Sequence, residues 1–215
     1  MESFMDISHI REEYTKYGLR KTDMDPNPLQ QFIKWFKQNL ALFPHNNAAT
    51  LATVNRQGIP STRIILLKQV DEKGFVFFTN YSSNKAKDIA ENPHVSLSFF
   101  WSELERQIII KGVAEKISKE ESQEYFHSRP YKSQLGAWAS HQSMVISNRE
   151  VLEKKYLVVE KRFKKDNVPA PDFWGGYRVK ANEIEFWQGR KNRLHDRLSY
   201  KYLPQEGWIL QRLSP

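Results

Sequence analysis

Residues 48–80 read AATLATVNRQGIPSTRIILLKQVDEKGFVFFTN, and this stretch decides the fold. Three of its segments are rich in β-branched and aromatic residues, which favour strands: 49–54, 61–70 and 75–80. The polar links between them, residues 55–58 and 71–74, both end in glycine, which suits tight hairpin connections. The stretch therefore predicts three consecutive antiparallel strands.

Further strands are predicted along the rest of the chain. They lie at residues 95–101, 107–117, 176–179, 183–188, 198–203 and 208–213. The strands do not alternate regularly with helices, so the chain predicts an antiparallel β-barrel decorated with helices and not a parallel sheet. The expected fold class is mainly β with α additions (α+β).

Local signals place helices around this barrel. Asn27, followed by proline, is a typical helix start, and large apolar residues follow it at helical spacing. The pairs Ser118/Glu121 and Ser147/Glu150 match the capping box S-x-x-E. Shorter helices are expected at residues 10–17, 83–91 and 132–138.

The composition limits the chemistry of the chain. With 215 residues, 40% of them hydrophobic, the chain suits one globular domain. It contains no cysteine, which excludes disulfide frameworks, thiolate nucleophiles and cysteine-ligated metals. The N-terminus carries an early acid and no apolar segment, and no apolar run approaches the ~20 residues that cross a bilayer. We therefore expect a cytoplasmic protein.

The chain is basic. It has 33 Lys and Arg against 25 Asp and Glu, a formal net charge of +8. Nucleic acid, an anionic membrane surface and small phosphorylated ligands all suit such a charge. Much of the excess can equally lie on solvated faces, as in the lysine-rich residues 154–165. No basic tail is concentrated enough to choose among these, so the charge only permits anionic ligands.

Several common active-site motifs are absent from the sequence. It has neither G-x-G-x-x-G nor the P-loop pattern, which disfavours a Rossmann dinucleotide site and a P-loop. The six histidines show no H-E-x-x-H or H-x-H spacing, so no metal site is predicted. No G-x-S-x-G elbow supports a serine hydrolase.

The segment Arg193-Leu-His195-Asp-Arg197 is the most suggestive functional feature. In an extended strand its two arginines and its histidine share one face, because side chains alternate. Arginine presents a planar fork of donors suited to phosphate or carboxylate. Pairing with Glu183 or Glu185 on a solvated edge strand is the competing interpretation. The tryptophan and glycine at 187 and 189 shift the balance towards a ligand site.

Other cations occupy less specific positions. Arg63 and Lys68 bracket an apolar strand but are five residues apart, so they face opposite sides unless a bulge or the strand end re-aims one. Lys85 follows hydroxyl-rich residues at a helix start, which suits an anion but also simple capping. Tyr125 and Arg129 are four apart on a helix and share a face.

In these and other stretches, the chain resembles the pyridoxine (pyridoxamine) 5'-phosphate oxidase family over nearly its full length. Each matching stretch is modest alone, but their order and spacing are specific. The stretches are Arg11-Glu-Glu-Tyr14, Arg63-Ile-Ile-Leu-Leu-Lys68, Phe78-Thr-Asn, Glu105-Arg-Gln107, Tyr125-Phe-His-Ser-Arg129-Pro, Phe173-Trp-Gly-Gly-Tyr177, Phe186-Trp-Gln-Gly, Arg193-Leu-His-Asp-Arg197 and Arg212-Leu-Ser-Pro215.

The resemblance implies an FMN-binding split β-barrel of antiparallel Greek-key type. Residues 25–215 would form this single domain, and residues 1–24 a mobile N-terminal segment. It implies a homodimer with FMN at the subunit interface and neither nucleic acid nor membrane as partner. The implied reaction oxidises pyridoxine 5'-phosphate or pyridoxamine 5'-phosphate at C4' to pyridoxal 5'-phosphate, the final step of vitamin B6 cofactor synthesis. O2 would be reduced to H2O2.

The resemblance also implies roles for individual residues. The expected FMN-binding set is Arg63, Ile64, Ile65, Leu66, Leu67, Lys68, Phe78, Thr79, Asn84, Lys85, Gln107, Gln142, Ser143, Trp187 and Arg197. The expected substrate-binding set is Arg11, Tyr14, Lys68, Tyr125, Arg129, Ser133, Arg193 and His195, with Arg193 and His195 as the catalytic pair. The family often has Arg-Lys where this chain has Asn84-Lys85, so one phosphate contact is expected to differ.

Two other functions compete with the oxidase. A split-barrel flavin or F420-type reductase would keep the phosphate site at Arg63 and Lys85. It has no need for the cluster of Tyr125, Arg129 and Ser133. A nucleic-acid-binding barrel, suggested by the basic charge, would be colourless and would bind polynucleotides with a steep salt dependence.

Overall fold

The computed structural model describes residues 5–10, 12–165 and 167–215. In these ranges five α-helices surround a sheet of nine strands. The helices are α1 (Pro28–Leu42), α2 (Asn84–Glu91), α3 (Lys119–Ser128), α4 (Tyr131–Ala139) and α5 (Arg149–Arg162). The strands are β1 (Ala48–Val54), β2 (Pro60–Leu66), β3 (Gln69–Asp71), β4 (Gly74–Asn80), β5 (His94–Trp101), β6 (Arg106–Lys116), β7 (Trp174–Gln188), β8 (Asp196–Leu203) and β9 (Gly207–Leu213). Short 3-10 helices lie at Lys21–Asp23, Ser102–Leu104 and Lys191–Arg193.

Every strand pair in the sheet is antiparallel. The strand order is β2-β1-β5-β6-β7-β4-β3, with β8 and β9 continuing from the far end of β7. The hairpin turns predicted at residues 55–58 and 71–74 are present and join β1 to β2 and β3 to β4, at opposite edges of the sheet. The single strand predicted at residues 61–70 is wrong, because β2 ends at Leu66 and the N–H of Lys68 donates to Val76 of β4. The β1–β5 and β4–β7 pairings are crossovers. The predicted class, mainly β with added helices, is confirmed.

Helix α1 closes the main core against one face of the sheet. Phe32 is fully buried and makes edge contacts with Phe75 of β4 and Phe99 of β5, at ring-centroid distances of 4.9 and 5.3 Å. Trp35 meets Phe186 of β7 in the same way at 5.2 Å. Such aromatic burial is a large apolar contribution to stability, so α1 holds β4, β5 and β7 together.

Helices α3 and α4 form a second, smaller core against the start of β7. Phe126, Leu135 and Val168 are its buried members. The Ser122 hydroxyl of α3 accepts a hydrogen bond from the backbone N–H of Gly176 in β7. This contact fixes the residues that follow Ser122 on α3 relative to the sheet.

The helix starts follow the sequence signals, with one shift. The Asn27 side chain accepts from the backbone N–H groups of the next turn, and both halves of the Ser118/Glu121 capping box are made. Helix α5 is capped by Asn148, not by Ser147, because the Asn148 side chain accepts from the N–H of Val151. The two strands predicted at 176–179 and 183–188 are one strand, β7.

The helix predicted around residues 10–17 is wrong. Residues 12–17 form no helix. Backbone N–H groups in this segment and just after it donate to carboxylates that are distant in sequence. The N–H of Lys16 donates to Glu105, and that of Leu19 donates to Asp196. Leu19 is buried in the main core. The division between a mobile segment 1–24 and a domain 25–215 stays a prediction.

The described residues form α-helices of 8 to 15 residues. None of them combines the length and apolar character needed to span a bilayer.

Candidate active site

Strand β7 carries predicted site residues near both of its ends. At its start, Gly176 and Gly175 pair with Phe78 and Thr79 of β4. At its far end, Trp187 pairs with Gln107 of β6 on one side and Arg197 of β8 on the other. Gly176 and Trp187 are eleven residues apart, about 36 Å along a strand at ~3.3 Å per residue. The predicted site is therefore divided into two clusters within one chain.

The first cluster surrounds a cavity of about 560 Å3 at the start of β7. Its lining includes eight of the predicted residues, Leu66 among them. The others are Lys68, Phe78, Thr79, Tyr125, Arg129, Ser133 and Gln142, and the unpredicted Trp174 joins them. Strand β4, helices α3 and α4, and the segment after α4 thus meet at one cavity.

Lys85 is a buried cation at this cluster. Its ammonium group donates to the Thr79 hydroxyl at 3.2 Å and to the Gln142 side-chain oxygen at 3.1 Å. Burial, with the nearby charge of Arg63, lowers the pKa of Lys85 to about 8. A negatively charged ligand would therefore stabilise the protonated form of Lys85.

Arg63 lies beside Lys85 and is oriented by neutral and acidic partners. Its Nη1 donates to the Thr53 hydroxyl at 2.6 Å, and its Nη2 lies 3.8 Å from Asp88 of α2. Thr53 in turn donates to Asp88 at 2.6 Å. Asp88 pairs with Arg63, and no ion pair of the described residues includes Lys85, so the two cations together keep excess positive charge.

The predicted parity conflict between Arg63 and Lys68 is resolved by the end of a strand. Strand β2 stops at Leu66, and the N–H of Lys68 donates to Val76 of β4 instead of continuing the β2 ladder. Of the residues between the two cations, Ile65 and Leu67 are buried in the main core, so only their backbone can meet a ligand. Ile64 and Leu66 are exposed on the opposite face.

Asn84 and Ser143, both predicted to bind FMN, come together across 59 residues of sequence. The N–H of Asn84, at the first position of α2, donates to the Ser143 hydroxyl at 3.2 Å. Ser143 has a φ of 73°, a left-handed conformation that non-glycine residues adopt at an energetic cost. The strained turn brings the segment after α4 onto the N-terminus of α2.

An aromatic stack forms one wall of the first cavity. The rings of Phe78 and Tyr125 stack with centroids 3.8 Å apart, and Trp174 lies nearly parallel to both. The guanidinium of Arg129 lies over the Trp174 ring at 4.6 Å. Arg129 is the C-cap residue after α3 and has an extended backbone, so the prediction that it shares a helical face with Tyr125 is wrong. Both residues nevertheless line the cavity.

The second cluster lies at the far end of β7. Gln107, Trp187 and Arg197 stand side by side on β6, β7 and β8. Arg197 makes two hydrogen bonds to the buried Glu185, at 2.7 and 3.0 Å, and a third to the carbonyl of Ser214. From the sequence, pairing with Glu183 or Glu185 was the alternative to a ligand role for this segment. Arg197 does pair with Glu185, and this ion pair fixes the orientation of its guanidinium.

The prediction that Arg193, His195 and Arg197 share one face of a strand is wrong. Strand β8 begins only at Asp196, and Arg193 ends a 3-10 helix with a φ of 59°. His195 follows this turn. Two left-handed residues, Asn192 and Arg193, interrupt the alternation on which the prediction depended.

Arg193 and His195 nevertheless line one cavity of about 510 Å3 with Tyr14 and Trp187. The Tyr14 ring meets Trp187 and His195 edge-on, at 5.6 and 5.8 Å. Gly189 makes room for Tyr14, because a Cβ there would lie 2.6 Å from its ring. Arg11, predicted to act with Tyr14, lies outside the described residues.

A backbone hydrogen bond fixes the tautomer of the neutral His195 ring. Its Nδ1 accepts a hydrogen bond from the N–H of Arg190 at 3.1 Å, so the proton of the neutral ring is on Nε2. Burial and the charge of Arg193 lower the pKa of His195 below its usual 6.5. At neutral pH the ring is therefore an uncharged donor through Nε2.

Comparison with known proteins agrees with this geometry. Residues 36–163 match the family described as pyridoxamine 5'-phosphate oxidase. Residues 174–215 match the pyridoxine 5'-phosphate oxidase C-terminal dimerisation region. The chain belongs to the pyridoxamine 5'-phosphate oxidase family. The resemblance seen in the sequence is confirmed.

Relatives within this family match the chain from end to end. The pyridoxine/pyridoxamine 5'-phosphate oxidase of Crocosphaera subtropica is 54% identical over 98% of this chain and 100% of its own length. Pyridoxine/pyridoxamine 5'-phosphate oxidase 1 of Ralstonia nicotianae is 52% identical over 97% of this chain and 99% of its own.

Solved structures support the split-barrel architecture. PhzG from Burkholderia lata, solved with tetrahydrophenazine-1-carboxylic acid, superposes with a TM-score of 0.83 at 28% identity, covering 92% of this chain and 98% of its own. A pyridoxamine 5'-phosphate oxidase-related, FMN-binding protein from Nostoc punctiforme gives 0.71 at 16% identity, covering 89% and 100%. The predicted split β-barrel is confirmed.

The state of His195 can be checked by titration. We expect its ring proton signals in the NMR spectrum, assigned by their loss in His195→Gln, to titrate below the usual histidine pKa. In Arg193→Gln the midpoint should move up, because one positive charge is removed, yet stay below the usual value because burial remains. Below the midpoint, protonated Nδ1 can no longer accept the Arg190 N–H. A midpoint above the usual value would contradict this assignment.

Proposed function

We propose that this chain oxidises pyridoxine 5'-phosphate or pyridoxamine 5'-phosphate at C4' to pyridoxal 5'-phosphate, with FMN as cofactor and O2 as electron acceptor. O2 would leave as H2O2, and the pyridoxamine reaction would also take up water and release ammonia. One observation carries the proposal beside family membership. The first cluster holds two separate cationic groups, Arg63 with Lys85 and Lys68 with Arg129, which suits two phosphates.

The charges of this cluster fit phosphate ligands. Among the ion pairs of the described residues, none includes Lys68, Lys85 or Arg129. Unpaired cations at a cavity are costly unless a ligand supplies the counter-charge. FMN carries one phosphate and each substrate carries another. A nucleic-acid-binding barrel does not require this enclosed arrangement.

For FMN, the residues around the N-terminus of α2 would hold the phosphate. Arg63 and Lys85 supply charge, and Thr79, Asn84 and Ser143 supply hydroxyl and amide groups. The N-terminus of a helix adds backbone donors and a favourable dipole for an anion. FMN, when bound, supplies the acceptor for the two electrons removed from C4'.

For the substrate, Lys68, Tyr125, Arg129 and Ser133 would hold the phosphate. Two Lys/Arg charges and two hydroxyls match the charge and the acceptor oxygens of a phosphate monoester. This grouping is the feature that favours the oxidase over a flavin or F420-type reductase, which has no need for a second phosphate clamp beside Arg63 and Lys85.

The remaining residues would come from a second copy of the chain. Arg193 and His195, with Gln107, Trp187 and Arg197 of the flavin set, lie at the other end of β7 from the phosphate cluster. One flavin ring cannot touch both ends of the strand in a single chain. In a homodimer, the far end of one β7 can face the first cavity of the partner. The match of residues 174–215 to a dimerisation region supports this arrangement.

In this arrangement Arg193 and His195 would act on the reacting carbon. In the pyridoxine reaction, the permanent charge of Arg193 would stabilise negative charge on the C4' oxygen as the hydroxyl proton passes to solvent and the hydride leaves C4'. His195 would donate from Nε2 and orient the pyridine ring. Tyr14, packed on both Trp187 and His195, would cover the ring and exclude water. Hydride removal needs alignment above all, so no paired carboxylates are required.

The visible spectrum of the purified protein tests the function. We expect flavin absorption after reconstitution with FMN, and its bleaching when pyridoxine 5'-phosphate is added without O2. Readmitted O2 should restore the colour and yield pyridoxal 5'-phosphate. Bleaching by a nicotinamide cofactor alone would favour the reductase. A protein that stays colourless with FMN would refute the proposal.

The proposed role of Lys85 predicts pH-dependent FMN affinity. With a pKa of about 8 in the free protein, Lys85 must take up a proton to bind the phosphate at higher pH. FMN affinity should therefore fall above about pH 8, by up to about tenfold per unit. Lys85→Arg stays charged, so its affinity should be flat over this range. Fluorescence titration of FMN measures both, and parallel profiles would contradict the role.

A further inference from the structure

The environment of Arg129 lacks the usual partner of a partly buried arginine. No carboxylate pairs with it among the described residues, and its Nη1 is shielded from solvent without a hydrogen-bond partner. Burial lowers the pKa of Arg129, which means that its surroundings disfavour the charge. Some other interaction must hold this guanidinium at the cavity wall.

Aromatic faces supply that interaction. The Arg129 guanidinium carbon lies 4.6 Å from the centre of the Trp174 ring and 5.7 Å from that of Phe126. Tryptophan is the strongest cation–π partner, and the attraction grows where water is excluded. Trp174 is the nearer of the two rings, and its face offsets part of the desolvation of Arg129.

Trp174 is itself held rigidly. It is the first residue of β7, where it pairs with Asn80, and its N–H donates to the carbonyl of Pro171. Its ring lies within 13° of the plane of Phe78 and within 7° of that of Tyr125. One side chain thus contacts both the arginine and the aromatic stack that carries the Tyr125 hydroxyl.

We propose that Trp174 is a positioning residue for the substrate phosphate, holding Arg129 and Tyr125 in place through its ring. This inference rests on the proposed function and names a residue to which neither the sequence patterns nor the resemblance assigned a role. A carboxylate partner would also hold Arg129, but it would neutralise the guanidinium. An aromatic face leaves the full charge for the phosphate dianion, which favours phosphorylated over unphosphorylated substrates.

The test compares Trp174→Leu and Trp174→Phe with the wild type in the FMN-loaded protein. For Trp174→Leu we expect the KM for pyridoxine 5'-phosphate and the Kd for pyridoxal 5'-phosphate to rise roughly tenfold, about 1.4 kcal/mol. Trp174→Phe should fall between, because phenylalanine is a weaker cation–π partner. The kcat and the FMN affinity should change less than about twofold, because Arg193, His195 and Lys85 are untouched.

Trp138→Phe is the matched control. Trp138 also lies in the smaller core and also faces an arginine, Arg162, at 5.7 Å, but it does not line the first cavity. Its replacement should leave the KM and the product Kd unchanged. If the Trp174 variants did the same, or if they lowered kcat, FMN affinity and thermal stability together with no selective loss of phosphate binding, the inference would be overturned.

The same measurements separate this inference from the proposed function. A wild-type protein that failed to oxidise pyridoxine 5'-phosphate would contradict the proposed function. The Kd of pyridoxal 5'-phosphate for wild type and Trp174→Leu would still decide the role of Trp174, because that binding needs no turnover.

Discussion

Strand β7 pairs with β6 along its length, with β4 at its start and with β8 at its end, and this register constrains everything else in the molecule. The backbone ladder leaves no freedom to bring the two ends of the strand together. The phosphate cluster forms where β4, α3 and α4 meet the start of β7. The cluster of Trp187, Arg193 and His195 forms where β8 turns back. A site that needs both clusters must be shared between copies of the chain.

Unpaired positive charge is the second feature on which the account depends. Lys68 and Arg129 line the first cavity and Lys85 is buried beside it, none of them in an ion pair among the described residues. Arg63 shares its one acid, Asp88, with a neighbouring threonine. Such a cluster destabilises the ligand-free fold, because buried charge is separated from water. Phosphates that bind only the folded chain supply the missing negative charge and stabilise the fold by mass action. The lowered pKa of Lys85 has the same origin, since it results from burial and from the nearby charge of Arg63.

Local signals predicted much of the fold, because capping and hairpin chemistry act over a few residues. Asn27 and Ser118 cap helices as expected. The helix expected around residues 10–17 does not form at 12–17, where the N–H of Lys16 donates to Glu105 and, just beyond, that of Leu19 donates to Asp196, both far away in sequence. Tertiary partners of this kind leave no local pattern.

The sequence could name the residues of the two clusters but not their arrangement in space. The resemblance named residues of both clusters, but strand alternation misplaced Arg193 and His195, because two left-handed residues break the strand before Asp196. Trp174 lay in a matching stretch without any periodic signal, and only its position under Arg129 indicates a role. Glu185 was foreseen as a partner of the tail segment, and its two hydrogen bonds with Arg197 confirm that ion pair.

Mixed dimers test the shared site most directly. Arg129→Ala disables the phosphate cluster and Arg193→Ala disables the far cluster, so each variant alone should be nearly inactive as a homodimer. A mixed dimer, isolated through a different affinity tag on each chain, has one site with both clusters intact. It should regain about half of the wild-type activity per dimer. Activity no higher than that of the two parent homodimers would contradict the claim that each site is built from two chains.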